Sequence, residues 1–70
     1  MTTKAIQDIS LAEKLLDAAL EGREVIVPKG IYICHIEAVC ASRGNPYGGV
    51  KGGGEWTIWN NGKQGKLRWT

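Results

Sequence analysis

Three groups of residues carry the chemistry this sequence can offer. Trp59 alternates onto one side of a hairpin with Glu55, Thr57, Gln64, Lys66 and Arg68, which sets a large aromatic ring beside two cations. Such a ring can anchor a protein interface or stack on a base, and stacking is worth about 1 to 3 kcal/mol per base. Arg43, Tyr47 and Lys51 lie among six glycines between residues 42 and 54, a mixture able to follow a phosphate backbone or mould to a protein. Cys34, His35 and Cys40 are the residue types of zinc ligands or of a thiol and imidazole acting together.

The third group fails on geometry if residues 31–40 form a strand. Strand neighbours point to opposite faces, so Cys34 and His35 share neither a ligand nor a proton, and a closed zinc site lacks its fourth ligand. His35 and Glu37 share a face about 7 Å apart, with no nucleophile or oxyanion site beside them. The glycines do not make a phosphate loop either. Gly44 to Gly49 is followed by Val50 and then by a strand, not by Lys-Ser/Thr and a helix. No catalytic residue, metal site or cofactor is expected, and a chain this small offers little room for a cleft between elements.

The elements that must position these residues are read from spacing. Ser10-Leu11-Ala12-Glu13 has the form of a capping box, and Leu11, Ala12, Leu15, Leu16 and Ala19 follow at helical spacing before Gly22. The spacing predicts a helix over 10–21, with residues 1–9 as a loose arm or short strand; Ala5, Ile6 and Ile9 allow an extension back to Thr3. Asp8, Glu13, Asp17, Glu21 and Glu24 read as the solvated side of that helix. Glu24-Val25-Ile26-Val27 is a β-branched run, and Val27-Pro28-Lys29-Gly30 has the form of a type I turn leading into a second strand from Ile31 to Cys40. On that strand Tyr32, Cys34, Ile36, Ala38 and Cys40 face the helix; Ala and Glu also allow a helix over 36–42, but the preceding Ile-Tyr-Ile run favours the strand.

Residues 42–54 read as a long glycine-rich loop. Asn61-Gly62 supplies the positive φ angles of a type I′ turn. It pairs Asn60 with Lys63, Trp59 with Gln64, Thr57 with Lys66, Trp56 with Leu67 and Glu55 with Arg68. Trp56, Ile58, Leu67 and Trp69 then supply core, and Trp59 is expected to lie exposed on the opposite side, the alternative being that it packs under the glycine-rich loop or on the N-terminal arm. The expected architecture is one α+β domain over residues 1–70, an N-terminal helix packed on a four-stranded, largely antiparallel sheet made of two hairpins.

Composition agrees with a thin core, since the chain of 70 residues has three Trp and no Phe. The net charge of +2 divides unevenly. Residues 1–35 hold four cations against five acids, and residues 36–70 hold five against two. A mildly basic second half admits nucleic acid without reaching the dense footprint of a duplex-DNA binder. Two cysteines six positions apart on a strand sit roughly 20 Å apart, beyond disulfide reach, and are expected to be free thiols. The absence of an apolar leader or of a run of about 20 apolar residues adds an expected cytoplasmic address and no membrane partner.

In size and style, with one small domain, no active site, an exposed aromatic and mixed charge, the whole chain resembles small phage-encoded host-takeover and anti-defence proteins, anti-CRISPR proteins among them. The resemblance implies inhibition by occupancy of a host protein or nucleoprotein complex, such as a CRISPR effector, in the host cytoplasm. It assigns no individual residue. The expectation is therefore a non-enzymatic binding protein whose partner surface is Trp59, Lys66 and Arg68, assisted by Arg43, Tyr47 and Lys51. The alternative is a single-stranded nucleic-acid-binding module on the same surface.

Overall fold

The computed structural model describes residues 3–70. Helix α1 covers Thr3–Leu20 and buries Ala12, Leu16 and Ala19, a spacing of four and three that keeps one stripe on the core. The helix begins seven residues earlier than the capping box suggested, so Ser10 and Glu13 lie within it. Most of the expected loose arm is therefore helical, and only residues 1 and 2 fall outside the described residues. The physical reason is that Ile9 continues the apolar stripe and packs against the core. Lys4 and Asp8 add an ion pair at 3.0 Å one turn apart. Gly22 closes the helix at φ +98, with its N–H bonded to the Ala19 carbonyl.

Strand β1 is Glu24–Val27, as its β-branched run predicts. The turn after it falls one residue later than expected. The Ile31 N–H reaches the Pro28 carbonyl and Gly30 takes the third place at φ +94, as a type II turn requires. Beyond this turn the chain does not return as the second strand of a hairpin. Residues Ile33–Ser42 form helix α2 and bury Ile36, Val39 and Cys40. That triplet has helical spacing, so the helix that Ala and Glu allow over 36–42 prevails over the strand favoured by the Ile-Tyr-Ile run before it, and the expected strand is corrected. Tyr32 and His35 start the helix reciprocally: the Tyr32 N–H donates to His35 Nδ1 at 2.9 Å, and the His35 N–H donates to the Tyr32 carbonyl. Their rings stack at 5.8 Å.

The glycine-rich stretch is likewise not all loop, because Gly48–Gly52 forms strand β2. Strands β3 (Glu55–Asn60) and β4 (Lys63–Trp69) make the hairpin with the predicted register at every pair. The order across the sheet is β1-β4-β3-β2. Two pairings are antiparallel, but β1 runs parallel to β4, from Glu24 beside Lys66 to Val27 beside Trp69. The protein is thus α+β with a mixed sheet and two helices, and the expected pair of hairpins with a single helix is corrected. With residues 33–42 taken up by α2, β1 finds its partner in β4 instead.

Both helices cover the same side of the sheet. One core joins Leu16 and Ala19 of α1, Ile36 and Val39 of α2, and Trp56, Ile58 and Leu67 of the hairpin. Gly65 lets α1 lie directly on β4, since a Cβ there would run into the Ala19 carbonyl. Among the described residues, no helix is long and apolar enough to cross a membrane.

Candidate functional site

Alternation along the strands decides what the other side of the sheet displays. Trp56, Ile58 and Leu67 turn to the helices, so Glu55, Thr57 and Trp59 of β3 and Gln64, Lys66 and Arg68 of β4 turn away from them. Register extends this face to both edges. Val50 joins it beside Thr57, Glu24 beside Lys66 and Ile26 beside Arg68. Neither helix packs on it.

The apolar part of this face is Trp59, Val50 and Ile26, exposed by 39%, 64% and 54%. Trp59 stands opposite Gly48, and a Cβ at Gly48 would collide with the indole Nε1 and Cε2 atoms. The ring therefore lies flat across the β2 backbone, held on one side and open on the other. The charges of the face form a ribbon of alternating sign. Glu55 forms ion pairs with Lys66 at 3.7 Å and Arg68 at 3.2 Å, and Arg68 also donates to Glu24 at 3.2 Å. Both cations of the face are paired, and the ribbon of two cations and two carboxylates carries no net charge.

Of the six residues singled out in the sequence, the fold puts Trp59, Lys66 and Arg68 on one face, with Lys66 and Arg68 two and four positions along β4 from Gln64, the residue opposite Trp59. It places Arg43, Tyr47 and Lys51 on the helix side. The Arg43 guanidinium forks onto Asp17 of α1 at 2.7 and 3.3 Å and donates to the Tyr47 hydroxyl at 3.2 Å. These two partners hold it still more firmly charged than an ordinary arginine. Lys51 pairs with Glu37 of α2 at 2.7 Å and lies 4.4 Å from the centre of the Trp56 ring. The three residues fasten the helices to β2 and its approach. Alternation explains the separation, because Lys51 follows Val50 and must point the other way.

Cys40 lies in a cleft of about 200 Å³ between Tyr47, Gly49 and Trp56. Burial pushes its thiol above the ordinary 9.0, outweighing the nearby Arg43 and Lys51, so it stays protonated at neutral pH. Cys34 is exposed, and both cysteines are free. His35 and Glu37, expected side by side on a strand, serve separate partners: His35 caps α2 and Glu37 holds Lys51.

Sequence reasoning missed Val50 and Ile26 as members of the face. Ile26 could have been found by extending period-two alternation through β1. Val50 was hidden by the glycines around it, which leave no alternation to read. Comparison with protein-family models, with curated proteins and with solved structures gives no significant match for this chain.

Proposed function

We propose that the chain is a non-enzymatic binding module that docks a protein partner on the uncovered sheet face, with Trp59 as the anchor. One observation carries this reading: the indole is positioned by Gly48 yet remains 39% exposed, on a face that neither helix covers. A ring held in place loses little freedom on binding, which is what makes rigid aromatics effective anchors. Lys66 and Arg68 act as polar rim in their paired state. Their pairing favours a protein over a single strand of nucleic acid, because a phosphate backbone would have to displace Glu55 and Glu24.

The resemblance in size and style to phage anti-defence proteins supports a partner among host proteins or nucleoprotein complexes, with occupancy as the mode of action. Affinity purification from a bacterial lysate, with and without nuclease, tests the reading. A defined protein should be retained after nuclease, and Trp59→Ala should weaken it by at least about 2 kcal/mol with the circular dichroism spectrum unchanged. A complex that Trp59→Ala leaves at full strength removes the anchor. Loss of all captured protein on nuclease treatment overturns the protein-docking reading.

A further inference from the structure

The sheet has two edges, and they differ. β1 has four residues and runs directly into Pro28, which has no N–H to offer. β2 has five residues, three of them glycine, and none is proline. Its hydrogen-bonding sides are set by the turn that ends it. Gly53 and Gly54 form a two-residue loop, both at positive φ, so Gly52 and Glu55 make the first hydrogen-bonded pair of the hairpin. Alternation then turns the N–H and C=O groups of Gly48, Val50 and Gly52 toward β3. Those of Gly49 and Lys51 point outward, and no turn or loop hydrogen bond of the described residues reaches them.

Edge strands in monomers are commonly blunted by a free lysine, a proline or a bulge. The one charged side chain of β2, Lys51, is drawn to the helix side by Glu37 and by the Trp56 ring. Val50, at the middle of the strand, is 64% exposed.

We propose that this edge pairs with the same edge of a second copy of the chain, antiparallel and centred on Val50, making one sheet that runs through both copies. The strand is self-complementary in that register alone. A two-fold axis at Val50 sets Gly49 of each copy opposite Lys51 of the other, so the outward groups meet as hydrogen-bonded pairs. Val50 of each copy then occupies the central non-hydrogen-bonded pair, where side chains approach most closely, with Cα atoms roughly 4.5 Å apart. Gly48 faces Gly52, and neither has a side chain to obstruct the approach. Moving the axis by one residue would place it on Gly49 or Lys51 and lose the apolar pair. The contact is small, so the dimer is weak and depends on concentration.

Sedimentation equilibrium on the purified chain, from about 10 µM to about 1 mM, tests this. The expected mass rises from 7.6 kDa toward twice that value. Val50→Lys and Val50→Glu each place like charges across the axis and should stay at the single-chain mass. Their circular dichroism spectra should match the parent, because the position is exposed. An equimolar mixture of the two should dimerise again, since opposite charges then face each other. A parent chain that remains at 7.6 kDa throughout overturns the proposal. So does a dimer that Val50→Lys leaves intact, or a mixture of the two variants that fails to associate. The readout uses the chain alone and does not depend on what the uncovered face binds.

Discussion

Trp56 and Trp59 stand on the same strand, and each lies against a glycine of β2, Trp56 at Gly49 and Trp59 at Gly48. The strand turns them to opposite sides of the sheet. Trp56 is 7% exposed, closed in by α2, the Lys51 ammonium and the core, whereas Trp59 is 39% exposed and neither helix packs on its side of the sheet. The two indoles clasp the glycine strand between them. The same residue type on the same scaffold thus serves cohesion on one side and stays partly open to solvent on the other, and the difference lies in what packs above each ring. It also explains the glycines, since larger residues at 48 and 49 would lift the rings off β2.

Truncation should separate the two sides most strongly. Trp56→Ala should lower unfolding stability by about 3 to 5 kcal/mol, the usual range for removing a large buried aromatic. Trp59→Ala should lower it by less, about 2 kcal/mol, because 39% of that residue already meets water. Urea denaturation of both variants checks this, and equal losses would abolish the distinction between the two faces.

A finer comparison adds one methyl group to each neighbouring glycine. At Gly49 the new Cβ would meet the Trp56 ring and the Thr57 carbonyl, neither of which can move away. Gly49→Ala should therefore cost about 1 to 3 kcal/mol. At Gly48 the obstacle is the Trp59 indole, which can swing into solvent, so Gly48→Ala should cost less than about 1 kcal/mol. The same variant should make the fluorescence of Trp59 more accessible to a collisional quencher. A larger loss for Gly48→Ala than for Gly49→Ala would mean that Trp59 is as firmly seated as Trp56.

The smallest effect belongs to the thiol under Trp56. Burial raises the Cys40 pKa above its unfolded value near 9.0, so the folded state holds that proton more tightly. Its contribution to stability is complete below the unfolded value and is lost as pH rises through the folded one. Stability should fall above pH 9.0, and Cys40→Ala should flatten that decline. Alkylation at neutral pH, followed by mass spectrometry, should modify Cys34 alone until denaturant is added. Equal labelling of both thiols in the native protein would show that the covered side is open to solvent.

Where local chemistry dictates conformation, the sequence could be read closely. Asn61-Gly62 forces a tight turn, and this sets register and facing for every pair from Glu55 with Arg68 to Asn60 with Lys63. The exposure of Trp59 was a consequence of that turn. Where two periods fit the same residues, the reading failed. Residues 31–40 satisfy alternation, yet Ile36, Val39 and Cys40 also satisfy a helix, and the choice rests on contacts with α1 far away in sequence. Losing that strand changed the partner of β1, and so the parallel pairing was out of reach. The glycines of β2 carry no side-chain signal at all; that strand exists because two indoles and the backbone of β3 hold it. Lys51 was grouped with Trp59 for the same reason, since a residue placed in a loop has no assigned side.

The parallel pairing of β1 with β4 bears on how the protein emerges from the ribosome. β1 is synthesised early, but its neighbour is the last of the four strands to be made, so its backbone groups wait until more than half of the chain has been added. Helix α1 and the β3-β4 hairpin can form from nearby residues, whereas closing the sheet across β1 is a long-range event. The final assembly therefore occurs after translation of β4, and a nascent chain stalled before that point carries an unpaired strand exposed to other chains.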